Sequence, residues 1–281
     1  MFILKNIKFM NNILYGVMFG DMAGSTYEWH SVKDYHFELF PETSHFTDDT
    51  VMTSAVADWL MQESRNKDIL VKSMQFFGSL YPYAGYGRNF FNWLRDPDPK
   101  PYYSWGNGSA MRVAPCAWVA KSLEKAETLA EQSAEVTHNH PEGIKGAKSV
   151  AAAIYMARTG ASKKEINEYI SNTYNYNLNR TISEIKAGGY KFDVSCQGSV
   201  PEAIIAFLES NDFEEAIRLA IYLGGDADTQ AAIAGSIAEA FYGFPSHLIE
   251  VVQSRLDANL IKTINNFNKF CNEKFPNYPR G

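Results

Sequence analysis

The chain has 281 residues, a formal net charge of −6 and 46% hydrophobic residues, enough for a sizeable core. Its mild acidity, with no run of Lys and Arg along the sequence, argues against a nucleic-acid or anionic-membrane surface. Three separated cysteines without a CxxC pair indicate a reduced compartment. Lys5 and Lys8 interrupt the apolar N-terminus, which fits neither a signal peptide nor a membrane span. We expect a cytoplasmic monomer.

Almost every clear periodic signal along the chain is helical, which predicts an all-α fold. One helix begins at Pro141, a residue favoured in the first helical turn. Helices are predicted near residues 13–20, 50–62, 68–79, 110–122, 124–137, 141–158, 163–171, 199–210, 212–223, 227–242, 245–255 and 259–271. No composition shift or Pro/Gly linker divides the chain, so residues 1–281 are predicted to form a single domain, with its core motifs in 16–243.

Capping signals define two of these helices. Ser199 and Glu202 have the spacing of a capping box, with Pro201 in the first turn. Asp212 stands in the same relation to an acid three residues later, and Gly224 is the expected C-cap. Both helices therefore have predicted starts.

Residues 80–109 are the exception to the helical pattern. This segment is rich in Tyr, Trp, Gly and Pro and is too long for an ordinary connection between helices. Its many aromatic residues argue against disorder. We therefore expect a functional loop.

Two Thr-flanked carboxylate pairs occur where a loop becomes a helix. They are Asp48 and Asp49 in "FTDDT", and Asp226 and Asp228 in "GGDADT". Helix capping alone accounts for one oxygen at each place, which leaves a surplus of acids. If the small-residue faces of the two following helices meet, the four carboxylates converge and need a cation. Carboxylate and hydroxyl oxygens suit Mg²⁺, Mn²⁺ or Ca²⁺.

Six segments in this order resemble the ADP-ribosylglycohydrolase family: "GVMFGDMAGSTYE", "FTDDT", "YAGYGRNF", "GNGSAMRVAP", "THNHPEGIKGA" and "LGGDADTQAAIAG". They cover most of the chain, and together they are specific. The resemblance implies an all-α orthogonal helical bundle with two Mg²⁺ or Mn²⁺ ions.

The resemblance also implies roles for the acidic residues. The metal ligands would be Thr47, Asp48, Asp49, Asp226, Asp228 and Thr229, with Asp228 bridging the two ions. Glu28 matches the family's acid that faces the metals. Glu28, Asp49 and Asp228 are the predicted catalytic residues, although which acid acts as the base stays open.

The substrate-binding residues are also predicted from the resemblance. Glycines let the backbone approach a ligand, and amides at a helix start bind anions. The residues predicted along ADP-ribose are Tyr83, Gly85, Gly87, Gly106, Asn107, Gly108, Ser109, Met111, Arg112 and His140. The tyrosine is a possible stacking surface, and His140 is preferred over His138.

The predicted activity is metal-dependent cleavage of the glycosidic bond between ADP-ribose and an acceptor, reversing mono-ADP-ribosylation of a protein side chain. The expected partners are ADP-ribose and an ADP-ribosylated protein, without stable binding of nucleic acid or membrane. Alternatives are hydrolysis of O-acetyl-ADP-ribose or of ADP-ribosylated nucleic acid. A non-catalytic ADP-ribose-binding member of the fold is a further alternative.

Overall fold

The computed structural model of the protein describes residues 13–275, and every regular element in that range is a helix. This confirms the all-α prediction. Fourteen α-helices follow one another within these residues: α1 (Tyr15–Ser25), α2 (Asp48–Met61), α3 (Lys67–Leu80), α4 (Arg88–Arg95), α5 (Ala114–Val119), α6 (Leu123–Glu135), α7 (Pro141–Arg158), α8 (Lys163–Tyr174), α9 (Ile182–Ala187), α10 (Cys196–Glu209), α11 (Phe213–Leu223), α12 (Ala227–Tyr242), α13 (Ile249–Gln253) and α14 (Ala258–Lys274). Short 3₁₀ helices cover Asn107–Ser109 and Ser246–Leu248.

The structure corrects several predicted helices. The helix predicted at 110–122 is only the six-residue α5, and α4 and α9 were not predicted. Ser195, rather than Ser199, is the N-cap of α10, because its side chain accepts the N–H of Gly198. Pro201 therefore lies inside this helix. Asp212 and Gly224 cap α11 as predicted.

Helix α12 lies at the centre of the core and is buried along almost its whole length. The buried hydrophobic side chains of residues 13–275 form one continuous cluster around it. None of the helices in the described part of the chain is long and apolar enough to cross a membrane.

The closest helix pair is α1 against α12, and glycines make the approach possible. Gly16, Gly20 and Gly24 recur every fourth residue, so they lie on one face of α1. A Cβ added to Gly20 would lie 2.1 Å from the carbonyl oxygen of Ala231, and one added to Gly24 would lie 2.4 Å from that of Ala227. The two backbones are therefore in direct contact.

This contact corrects the expectation that the small-residue face of α12 meets α2. That face packs against α1. The glycine spacing of α1 is visible in the sequence, but the prediction of helix contacts did not use it. Packing of α1 on α12 brings the C-terminal end of α1 beside the first turn of α12, where Asp228 lies.

A buried carboxylate from α12 satisfies the first turn of α1. Leu14, in the left-handed region at φ 74°, precedes the helix and offers no side-chain cap. Instead the carboxylate of Glu239 accepts the N–H groups of Leu14 and Tyr15 at 3.1 and 3.0 Å. Burial raises the pKa of Glu239 to about 8. The two helices are thus joined at both ends of their contact.

Candidate active site and metal centre

A cavity of about 490 Å³ opens where α1 ends and where α2 and α12 begin. Fourteen of the residues predicted for the site line it: Glu28, Thr47, Asp48, Asp49, Gly85, Gly87, Gly106, Asn107, Gly108, Met111, Arg112, Asp226, Asp228 and Thr229. The cavity is therefore the candidate active site.

Two helix N-termini deliver the carboxylates to this cavity. Thr47 is the N-cap of α2 and accepts the N–H of Asp49. Before α12, Gly224 and Gly225 both have positive φ, 84° and 87°, a conformation that glycine adopts readily. They turn the chain sharply after α11, so that Asp226 becomes the N-cap residue of α12. The positive ends of both helix dipoles favour negative charge here.

The convergence expected from the sequence is present. Carboxylate oxygens of Asp49, Asp228 and Asp21 lie within 4.8 Å of one another. A second set of three, Glu28, Asp226 and Asp228, meets the same limit. Asp228 belongs to both sets, the position expected of a residue that bridges two ions.

Asp21 on α1 is a site residue that the sequence reasoning missed. Its carboxylate accepts four hydrogen bonds, from the N–H and the hydroxyl of Thr47 and of Thr50. Oδ2 accepts three of these hydrogen bonds and Oδ1 accepts one, which leaves an acceptor position free on Oδ1. Because the Thr47 hydroxyl donates to Asp21 at 2.7 Å and accepts the N–H of Asp49, one of its lone pairs remains free to face a cation. Asp21 therefore orients the turn that carries Asp49.

The buried acids of the cavity are better stabilised by a bound cation than by one another. Asp49 Oδ1 is buried and has no hydrogen-bond partner, which is costly for a charged oxygen. Burial, followed by the charges of neighbouring acids, raises the pKa of Asp48, Asp49 and Asp228 well above the usual value. Bound cations would remove both penalties, and the oxygen-only donors suit Mg²⁺ or Mn²⁺.

Glu28 reaches the cavity from the turn that follows α1. Its side chain is half-buried, and burial together with the charge of Asp228 raises its pKa to about 7. The pKa of Asp226 is raised to about 6, chiefly by burial. Glu28 therefore lies at the edge of the carboxylate cluster, where it can reach both a cation and a bound molecule.

Asn107 joins the glycine-rich turn to the carboxylates. Its side-chain amide donates to Asp226 Oδ2 at 2.6 Å and to Ser199 Oγ at 3.1 Å. Its backbone N–H donates to the carbonyl of Val194 at 2.8 Å. The turn of Asn107–Ser109 is thus held on two sides, with Gly106 and Gly108 exposed to the cavity.

His138, rather than the predicted His140, lines the cavity. The Arg112 guanidinium donates to the Thr137 hydroxyl at 2.8 Å, and that hydroxyl lies 2.7 Å from His138 Nδ1. We assign the hydroxyl hydrogen to Nδ1, which leaves the ring proton on Nε2. Burial and the Arg112 charge lower the pKa of His138 well below its usual value. The imidazole is therefore neutral, and its Nε2 atom faces Gly108.

Three predicted substrate residues lie elsewhere. His140 is the N-cap of α7 and accepts the N–H of Glu142. Ser109 is fully buried, and its hydroxyl donates to the carbonyl of Gly143 at 2.8 Å. Tyr83 is 97% exposed and does not line the cavity. Arg112 does line it, but its guanidinium is fully buried and binds Thr137 and the carbonyl of Ser133.

Exposed aromatic residues form the mouth of the cavity. Trp29 is 72% exposed and stacks on Phe192, with ring centroids 5.0 Å apart. Both residues line the cavity, as does Val194. Because Trp29 and Phe192 are far apart in sequence, no local pattern indicated that they would meet.

Comparisons with known proteins indicate the family of the chain. The family model described as ADP-ribosylglycohydrolase matches residues 10–273. "ADP-ribosylhydrolase ARH3" of Mus musculus is 27% identical, over 85% of each chain. "ADP-ribosylarginine hydrolase Tri1" of Pseudomonas putida (strain GB-1) is 28% identical, over 82% of this chain and 69% of that protein.

A solved structure shares the fold. It is described as "ADP-ribosylglycohydrolase-related protein complex", and it superposes with a TM-score of 0.70 at 22% sequence identity. The match covers 92% of this chain and 96% of the other. With the family model matching nearly the whole chain, the protein belongs to the ADP-ribosylglycohydrolase family.

Proposed function

We propose that the protein hydrolyses the glycosidic bond between ADP-ribose and an acceptor side chain of a protein, and so reverses mono-ADP-ribosylation. The reaction depends on two Mg²⁺ or Mn²⁺ ions. The acceptor is a protein side chain, in keeping with the name of one relative, which specifies ADP-ribosylarginine.

One observation carries this proposal. Two sets of carboxylates share Asp228 on the wall of one cavity, and Asp49 Oδ1 is buried there without a partner. A single helix cap does not need five acids. A dinuclear cation site accounts for the surplus of acids, because each ion requires several oxygen ligands.

Different residues of the chain would bind the ions and position the substrate. The ions would be held by carboxylates and two hydroxyls, from Asp48, Asp49, Asp226, Asp228, Thr47 and Thr229. When bound, the ions would supply the positive charge that orients the ribose hydroxyls and acidifies a water molecule. Cleavage at the anomeric carbon passes through an oxocarbenium-like state, and the surrounding carboxylates favour that positive charge.

Other residues bind and position the substrate. The backbone of Gly106 and Gly108 lets a diphosphate approach closely, and the Nε2–H of His138 donates into the same region. Glu28, at the edge of the carboxylate cluster, holds or accepts the proton that moves when the bond breaks. The aromatic mouth formed by Trp29 and Phe192 excludes water from the reacting atoms.

The test is a turnover panel with arginine-linked, serine-linked and nucleic-acid-linked ADP-ribose and O-acetyl-ADP-ribose. Exhaustive chelation should abolish turnover, and Mg²⁺ or Mn²⁺ should restore it. Glu28→Gln should bind ADP-ribose within a few fold of wild type while turnover falls by roughly 10² or more, the usual scale for a positioned acid or base. Glu42→Gln, an exposed acid of the same connection, is the matched control.

The outcomes separate the proposed function from its alternatives. Full turnover after chelation would reject the metal assignment. Tight ADP-ribose binding without turnover of any substrate would identify a binding protein. Turnover only of the acetyl ester or of the nucleic-acid conjugate would replace the proposed protein acceptor.

A further inference from the structure

A second cavity of about 530 Å³ lies at the opposite end of α2 from the candidate active site. Its walls come from the C-terminal ends of α2, α5 and α14 and from the start of α6. Helix α2 has 14 residues, which places the two cavities about 20 Å apart at a rise of about 1.5 Å per residue. The second cavity is therefore separate from the catalytic one.

Positive charge dominates the second cavity. Arg65, Lys121, Lys125 and Lys274 line it, together with a single acid, Glu63. None of these four cations forms an ion pair with a carboxylate of residues 13–275. The whole chain carries a net charge of −6, so an unpaired cationic cluster stands out against its surroundings.

The floor of the second cavity is apolar and aromatic. Phe270 and Phe275 contribute two rings, and Val119 is buried beside them. Arg65 and Lys121 stand 5.9 Å from the centroids of Phe270 and Phe275 respectively. Such aromatic and aliphatic surface with a few converging charges is typical of small-molecule sites, and the volume lies in their usual range.

We propose that this cavity binds a small organic anion with an aromatic or otherwise apolar body. The anionic group would contact Lys121 and Lys125 at the mouth, and the apolar body would lie on Phe270 and Phe275. A lone inorganic anion would leave the aromatic floor uncovered and fill little of the volume. This site does not depend on the proposed hydrolase activity.

The experiment uses 1-anilinonaphthalene-8-sulfonate, an aromatic sulfonate whose fluorescence rises in apolar surroundings. The full chain is titrated without ADP-ribose, because ADP-ribose is itself an anion with an aromatic base and would compete for the second cavity. We expect one saturable site. The double variant Lys121→Glu with Lys125→Glu should raise the Kd of the dye by about tenfold or more, the scale of a lost charged contact. Phe270→Ser should also weaken binding.

A matched double variant controls for net charge. Lys72→Glu with Lys262→Glu reverses the same number of exposed lysines, and neither residue lines the cavity. This variant should bind the dye as wild type does.

Three results would overturn the site. The first is equal weakening in both double variants, and the second is unchanged dye affinity in Phe270→Ser. The third is unchanged dye affinity in the cavity variant together with a lower Tm, because the cations would then only neutralise the carbonyl ends of the three helices. Displacement of the dye by AMP but not by inorganic phosphate would support the need for an apolar body.

Discussion

Replacing Gly20 by alanine tests whether the α1–α12 contact positions the active site. The added Cβ would lie 2.1 Å from the carbonyl oxygen and 2.4 Å from the carbonyl carbon of Ala231. Both atoms belong to the backbone of a buried helix, so no side-chain rotation relieves the clash. The two helices must separate.

The magnitude follows from this geometry. A normal carbon–oxygen contact of about 3.2 Å requires the helices to move roughly 1 Å apart at this point, and overpacking of a core costs about 1–3 kcal/mol or more. The better helix propensity of alanine offsets about 1 kcal/mol. We therefore expect the free energy of unfolding to fall by up to about 2 kcal/mol, or by more where the overpacking exceeds its usual range.

The effect on the site should exceed the effect on stability. Asp21 lies next to Gly20, and Asp228 lies on the first turn of α12. A shift of roughly 1 Å between them is several times the tolerance of about 0.2 Å in metal–ligand distances. A displacement of that size can lower catalysis by about 10²-fold. Loss of metal affinity should accompany the loss of turnover.

The assay combines urea unfolding with Mn²⁺ titration by calorimetry. Gly78→Ala is the matched control, because the three atoms nearest to its added Cβ all belong to the Leu94 side chain, at 2.8 to 3.3 Å, and a side chain can shift where a helix backbone cannot. It should unfold and bind Mn²⁺ much as wild type does. A Gly20→Ala protein with wild-type stability and wild-type Mn²⁺ affinity would refute the reasoning.

Three further predictions follow from the same structure. Asp21→Asn keeps the size of the side chain but turns one acceptor into a donor facing Thr47 or Thr50. The affinity for Mn²⁺ should fall by roughly 10–100-fold. An unchanged calorimetric Kd would show that Asp21 does not orient the turn that carries Asp49. Gly108→Val places branched methyl groups against His138, whose ring would already lie 3.2 Å from a Cβ at this position. ADP-ribose binding should weaken by about 1–3 kcal/mol without loss of metal. Normal binding in calorimetry would exclude this turn from the ligand site. The pKa of Glu239 is about 8 in the folded state against an ordinary value of 4.5, so the native state holds the proton more tightly than the unfolded state. The contribution of Glu239 to stability is therefore complete below pH 4.5 and is lost as the pH rises to about 8. The stability advantage of wild type over Glu239→Gln should therefore shrink between pH 4.5 and pH 8 in urea unfolding, and a constant gap would contradict the raised pKa.

Several features of the protein were predictable from sequence because their causes are local. Helical periodicity and caps such as Asp212 depend on residues within about four positions of one another, and α11 begins and ends as predicted. The carboxylate motifs are also contiguous, so Asp49 and Asp228 were identified without knowledge of their neighbours. Local competition between caps still misled the prediction at Ser199, because Ser195, four residues earlier, caps the helix.

The tertiary structure decided which of these local features meet. Asp21 became a site residue only because α1 packs on α12 and lies beside the N-terminus of α2. His138, and not His140, lines the cavity. Thr137 and Arg112 fix its ring, and the spacing of residues in the sequence does not encode this contact. The four cations of the second cavity come from three separate stretches of chain, so no basic cluster was visible along the sequence. Helix formation follows from local backbone and side-chain preferences. Which face of a helix packs against which neighbour depends instead on long-range packing, such as the fit of glycine against a neighbouring backbone.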